Sequence, residues 1–272
     1  MESVVSSPLV SAGGARLKGK VREPLPGQPL VSVVIAVLNG EKYLETALRS
    51  VLEQTYPNVE LLVFDGGSCD GTVSILKRYN DQIDYWASEP DGGIYDAWNK
   101  AVKTAQGEWI AFLGSDDRYF PDALRSYVDY ILETERDLDY VSSRNVLLYP
   151  DGTTRRVGSA WNWATFRVRM NVAHVGSLHH RRLFERLGLY NTDYRIVGDY
   201  ELLLRAGSAL CAGFIDVTAA EMQVGGVCDS VRALAEARRA KIITAGRSSA
   251  AATLEDVWAR IKFVVRKQLG RG

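Results

Sequence analysis

Two adjacent carboxylates, Asp116 and Asp117, follow the apolar run WIAFL across a Gly-Ser step in the stretch WIAFLGSDDRYF at residues 109–120. A carboxylate beside a core strand is expensive to bury unless it is paired, hydrogen-bonded or bound to a metal. Magnesium-type ions favour one or two carboxylates plus phosphate oxygens, so Ser115-Asp116-Asp117 could place an oxygen on a cation that also holds a diphosphate. The structural alternative is a helix cap before PDALRSYV, a job for which Asp122 is better placed. Asp65 opens a second such site, because the two glycines after it let backbone approach a ligand while its side chain accepts hydrogen bonds. Its alternative is a turn residue satisfied by local amides.

The elements around these residues must position them. LVSVVIAVL is a near-continuous apolar, β-branched run, as expected of a strand covered on both faces. NGEKYLETALRSVLEQ then places Leu44, Ala47, Leu48, Val51 and Leu52 on one helical face. VELLVF predicts a second strand, and a short helix carrying Ile75, Leu76 and Tyr79 follows the DGGSCDGT loop. IDYWAS predicts a third strand, IYDAWNKAVKTA a helix with Ile94, Ala97, Trp98, Ala101 and Val102 inward, and WIAFL a fourth strand. Strands alternating with helices imply right-handed crossovers and a mostly parallel α/β sheet, with ligands bound beyond the carboxyl ends of the strands. Asn39-Gly40, Asp65-Gly66-Gly67 and Gly114 to Asp117 all follow strands, so these three loops are expected to converge on one crevice. Downstream, SSRNVLLYPDGTTRRVGS predicts a hairpin around Asp151-Gly152, while RRLFERLG and GDYELLLRAG predict short helices stopped by glycine.

Composition narrows the function classes. The 272 residues carry 33 basic and 33 acidic side chains, so no global field attracts nucleic acid. Cys69, Cys211 and Cys228 are too few and too far apart for a disulfide framework or a zinc cluster, which fits a reducing cytoplasm. No apolar run reaches the roughly 18 residues of a membrane span, and the start lacks the pattern of a signal peptide. Residues 1–30 hold four of the eight prolines and are expected to form a disordered leader. One domain is then expected over 31–225, in two parts at 31–120 and 121–225, with 226–272 as a helical extension.

The run VSVVIAVLNGEKYLETALRSVLEQTYPNVELLVFDGGSCDGT, followed by SEPDGGIYDAWNKAVKTAQGEWIAFLGSDD, closely resembles the family 2 glycosyltransferases of GT-A fold, particularly bacterial enzymes that build surface polysaccharides. The resemblance covers residues 31 to about 206. It implies a catalytic domain over 31–225, with a Rossmann-like sheet with helices on both faces, a nucleotide half at 31–120 and an acceptor half at 121–225 carrying the C-terminal acceptor-side elements. By position it implies that Asp65 contacts the nucleotide base, that Asp116 lies by the ribose and diphosphate, and that Asp117 ligates a divalent metal, Mn2+ or Mg2+. The usual DXD signature is present only as Ser115-Asp116-Asp117. Asp91, Gly93 and Asn99 match the segment that lines the donor pocket; a tight loop and helix start are their structural alternative. Asp199, in YRIVGDYELLLR, matches the catalytic carboxylate, although Gly198 stands where such enzymes often have an acidic residue. A helix N-terminal cap is the alternative for Asp199. His174 matches a histidine often found near the acceptor side and is left outside the catalytic set, and His179-His180 lacks metal-ligand spacing.

These matches imply an inverting, metal-dependent transfer from a nucleotide-sugar, expected to be UDP-linked, to a hydroxyl of a growing, lipid-linked surface glycan on a polyprenyl carrier. The tail LEDVWARIKFVVRKQLGRG places Leu254, Val257, Trp258, Ile261, Val264, Val265 and Leu269 on one helical stripe, and residues 257–272 contain five basic and no acidic side chains. Such an amphipathic helix suits an anionic membrane surface, a cytoplasmic enzyme peripheral at the inner face of the plasma membrane, or packing on protein. Other classes fit less well. A sugar-nucleotide pyrophosphorylase normally shows an early glycine-rich basic loop, where AVLNGEKYLE has one glycine and one lysine. A nicotinamide enzyme would need G-x-G-x-x-G after its first strand. An inactive nucleotide-sugar-binding module differs from a transferase in lacking donor turnover. Oligomeric state is left open.

Overall fold

The computed structural model describes residues 11–20, 22, 25–224 and 230–268, with side chains given up to 265. The expected leader is partly built into the fold: β1 (Ser11–Gly13) pairs antiparallel with the strand at 85–88, and Arg16 ion-pairs with the fully buried Glu60. The prolines and glycines there do not prevent order, because residues 11–18 gain a sheet edge and a buried carboxylate as partners. Residues 1–10 lie outside the described part.

Residues 31–120 form the elements that their periodicity predicts. β2 (Val31–Val37), β3 (Val59–Asp65), β4 (Tyr85–Ser88) and β5 (Trp109–Gly114) run parallel, in the order β4-β3-β2-β5. Their connecting helices are α1 (Leu44–Leu52), α2 (Thr72–Arg78) and α3 (Ile94–Thr104). Val33 and Ile35 pack with α1 and α2 on one face, whereas Val34 packs with α3 on the other, which is why the strands are apolar throughout. Ile94 corrects the expected helix face: it is 41% exposed, and Tyr95 is buried in its place.

Beyond β5 the topology becomes mixed. A two-residue strand β6 (Arg118–Tyr119) leads to α4 (Ala123–Glu133) and then to β7 (Tyr140–Leu148), which forms the expected hairpin with β8 (Thr154–Val157). A short helix α5 (Trp163–Phe166) precedes β9 (Ala173–His180), a strand antiparallel to both β5 and β7 that joins the two halves of the sheet. The glycine-stopped helices follow as α6 (Arg181–Leu187) and α7 (Gly198–Ala206), and β10 (Ala212–Gln223) pairs parallel with β7. The extension folds as α8 (Val231–Ile243) and α9 (Ser249–Gln268). Among the described residues, no helix is long and apolar enough to cross a membrane.

Candidate active site

The three loops converge as their positions at strand ends require. The Asn39 amide donates to the Ser68 hydroxyl at 2.7 Å, Asn39 Oδ1 accepts from the Cys69 amide at 3.0 Å, and the Gly66 amide donates to the Val37 carbonyl at 2.9 Å. The 114–117 turn lies beside them, since a Cβ on Gly40 would sit 3.6 Å from the Ser115 hydroxyl.

In that turn the two aspartates differ. Asp116 is exposed, whereas Asp117 is buried, with its Oδ1 accepting from the Gln223 amide of β10 at 3.2 Å. Gly114 makes this possible: any Cβ there would stand 2.4 Å from Asp117 Oδ2. Burial, and then the neighbouring charge of Asp116, push the Asp117 carboxyl up to about 7. An oxygen-only donor set, with one buried carboxylate short of partners and a second beside it, fits a hard divalent cation completed by phosphate oxygens. Among the described residues no group of three ligating side chains converges, so such an ion would draw most of its shell from ligand and water.

Asp65 is 2% exposed and already engaged. Its carboxylate accepts from the Ser88 hydroxyl at 2.6 Å, from the Ser68 hydroxyl, and from the Ser68 amide at 3.1 Å. It therefore shapes the 65–68 loop and ties it to the end of β4. The next loop is adjacent, because Asp91 Oδ2 lies 2.8 Å from where a Gly66 Cβ would be, and Asp91 Oδ1 accepts from the Gly93 amide at 2.8 Å. Desolvation raises the Asp91 carboxyl above its ordinary range. Asn99, expected along the donor pocket, uses both ends of its amide on the backbone of Tyr190, donating to its carbonyl and accepting from its N–H, each at 2.9 Å. It holds α3 against the 190 loop, because an unpaired amide at that half-buried contact would be costly.

Asp199 sits in the first turn of α7, its side chain 20% exposed. Burial raises its carboxyl above the ordinary range, opposed by its neighbours' hydrogen bonds. The Tyr95 hydroxyl lies 3.1 Å from Asp199 Oδ1 and 2.8 Å from the Ile196 carbonyl, so its single proton serves one acceptor at a time. The absence of an acidic residue at 198 has a steric reason: a Cβ on Gly198 would press to 2.8 Å from the Tyr95 ring. His174 lies behind Asp199, with Nδ1 3.9 Å from Oδ2 and its ring stacked on Trp98. Burial pushes this imidazole down to about 3, so it is neutral and cannot act as a cation. His179 is likewise buried, its ring against Phe112, and forms no metal cluster among the described residues.

Two further residues of the site carry no sequence signature. Tyr95 is one, and exchanging the expected burial of Ile94 for the neighbouring residue would have found it. The other is Glu236 of α8, whose carboxylate accepts from the Arg195, Ile196 and Val197 amides at 3.1, 2.8 and 3.2 Å. Those amides precede the first turn of α7 and lack intrahelical partners, so Glu236 caps the segment that presents Asp199.

A family model described as glycosyl transferase family 2 matches residues 32–185. The chain is 32% identical over 211 residues to a PGL/p-HBAD biosynthesis glycosyltransferase of Mycobacterium bovis (strain BCG / Pasteur 1173P2), spanning 75% of this chain and 80% of that protein. Among solved structures, S. aureus TarS 1-349 in complex with UDP matches with a TM-score of 0.61 at 19% identity, over 87% of this chain and 71% of that one. The mannosyltransferase PcManGT from Pyrobaculum calidifontis, in complex with GDP-Man and Mn2+, matches with a TM-score of 0.58 at 17% identity, over 98% and 83% of the two chains. At these identities the structural likenesses speak for the fold, which is the GT-A sheet with flanking helices that the sequence predicts.

Proposed function

The chain belongs to glycosyl transferase family 2, and on that premise we propose that it is an inverting, metal-dependent glycosyltransferase that moves a sugar from a UDP-sugar to a hydroxyl of a lipid-linked acceptor in surface-glycan assembly. The observation that carries this reading is the coupling of acceptor and donor sides: the basic Asp199 carboxylate is held by Tyr95, in the first turn of the helix whose N-terminal loop carries Asp91 and Gly93.

The donor lies across the carboxyl ends of β2, β3 and β5, with its nucleoside toward the Asp65 and Asp91 loops and its diphosphate at the 114–117 turn. Asp117, with Asp116 beside it, would hold a divalent cation. When bound, that ion supplies charge stabilisation for the departing diphosphate, worth several kcal/mol in such sites. On the other side, Asp199 accepts the proton of an acceptor hydroxyl while the hydroxyl oxygen bonds to the anomeric carbon. The carbon–oxygen bond to the diphosphate breaks with its electron pair leaving on the nucleoside diphosphate. Attack opposite the leaving group inverts the anomeric centre. A raised carboxyl suits this work, because a general base gains driving force as its basicity approaches the working pH. The UDP bound to TarS and the GDP-Man bound to PcManGT support the donor class, and α9, with its exposed apolar stripe, supports work at a membrane surface.

The test is a screen of nucleotide-sugars by thermal shift with and without Mn2+, since a ligand that binds only the folded state raises its stability. A rise with one UDP-sugar that requires the cation, followed by transfer from that donor, is expected. A flat response to every nucleotide-sugar would remove the reading.

A further inference from the structure

A cavity of about 750 Å³ opens between α7, α8, α9 and the segment leading into β9, and Asp199 is on its wall. This is well within the size range of small-molecule sites, roughly 300–1,000 Å³. Its body is apolar, formed by Val168, Met170, Ile196, Leu234, Trp258 and Phe263. The polar groups in its walls are largely engaged: the Tyr200 hydroxyl donates to the Phe166 carbonyl at 2.8 Å, Lys241 pairs with Glu255 at 3.3 Å, and the Ser230 hydroxyl caps α8. A sugar seated there would lose its water without finding replacement partners, at a cost for each unpaired hydroxyl.

The rim has the opposite character. Arg155 of β8, Arg169 and Lys262 of α9 reach the cavity from three separate segments, all exposed, and among the described residues none pairs with a carboxylate. Lys262 Nζ lies over the Trp258 ring, 5.1 Å from its centroid. The same helix that walls the cavity turns Leu254, Val257, Ile261, Val264 and Val265 outward, each 47% exposed or more. Its two described acids are neutralised, Glu255 by Lys241 and Arg247 and Asp256 by Arg260. α9 therefore presents an exposed apolar stripe on its outside and an apolar wall with a cationic rim on its inside, the pattern expected where an anionic lipid surface meets the protein.

We propose that this cavity is the acceptor site and that it takes an anionic membrane lipid: an apolar body against Leu234, Trp258 and Phe263, an anionic group on Arg155, Arg169 and Lys262, and the reacting hydroxyl at Asp199. This deepens the function proposed above and rests on its assignment of Asp199 as base. It narrows the acceptor from an extended glycan to a hydroxyl carried directly on the apolar body. The reaction is then an early glycosylation of a lipid.

The test uses the full chain and a soluble stand-in, decyl phosphate, below its micellar concentration, with decyl glucoside and inorganic phosphate as comparators, read by calorimetry. Decyl phosphate is expected to bind at one site per chain, at least about tenfold tighter than either comparator, because it alone offers both apolar burial and a charge for the rim. Combined R155A, R169A and K262A, all surface changes, should bring it down to the level of decyl glucoside. L234W, which fills the cavity, should remove the site while leaving the outer stripe intact. Cation-dependent UDP binding, measured on each variant, reports the donor side independently and certifies its fold. Absence of saturable decyl phosphate binding, or undiminished binding by the triple variant, would overturn the acceptor assignment even with UDP binding intact. Loss of UDP binding in the wild-type chain would instead strike the glycosyltransferase reading.

Discussion

In residues 31–120 each parallel strand runs directly into the loop that carries its polar residue, so Asn39, Asp65 and Asp117 reach one crevice by strand order alone. In residues 121–268 nothing so regular operates. Asp199 is placed by Tyr95 from α3, by the Glu236 cap from α8 and by the packing of α7 under the cavity. The proposed donor side is thus a property of the fold, and the proposed acceptor side is a property of contacts between elements far apart in sequence. Donor-side function should therefore survive changes that abolish acceptor-side function.

The largest expected separation comes from Asp199→Asn. Turnover should fall by roughly 10²- to 10⁴-fold with donor affinity kept, as for loss of a general base. The folded carboxyl is raised, so its favourable contribution to stability is fully present below the unfolded value near 3.8 and is lost as pH rises through the raised value. At neutral pH the Asn variant is consequently expected to melt no lower than wild type. Undiminished turnover, or a lowered Tm, would break the assignment.

Glu236→Ala comes next. Removing a charged acceptor from three amides at a half-buried site should cost about 1–2 kcal/mol of stability. It should lower kcat about tenfold with the donor KM unchanged, since each 1.4 kcal/mol of misplacement is about tenfold in rate. A matching rise in donor KM would show that the two sides are not separable as described. A smaller effect concerns pH. At saturating Mn2+ and donor, where the bound cation keeps Asp117 ionised, kcat should fall toward acid with a midpoint above the ordinary 3.8 because Asp199 must be ionised to accept a proton, and the Asn variant should lose that limb. An unchanged limb in the variant would point to another group. The smallest effect on soluble activity is expected from L254S, V257S and I261S together. This change should abolish flotation with vesicles containing phosphatidylglycerol while leaving UDP binding as it was, and equal flotation would eliminate the membrane role of α9.

The same contrast explains what was legible beforehand. The parallel strands, the convergence of three loops and the hairpin at Asp151-Gly152 follow from periodicity and turn chemistry, which are local. β9, with its Gly, Ser and His residues, has no local strand signal and is made a strand by pairing with β5 and β7. Tyr95, Glu236 and the amide of Asn99 take their roles from partners about 40 to 104 positions away, which no spacing in the chain encodes. Residues 11–18 belong to the 1–30 segment expected to be a disordered leader for its prolines and glycines, yet a sheet edge and Glu60 order them.

The central claim is that Asp117 holds a cation shared with a nucleoside diphosphate. Titration of UDP into the full chain with and without Mn2+, repeated on Asp117→Asn, tests it most directly. Mn2+ should tighten UDP binding strongly in the wild-type chain and leave the variant at the metal-free affinity; an equal Mn2+ effect in both would contradict the account.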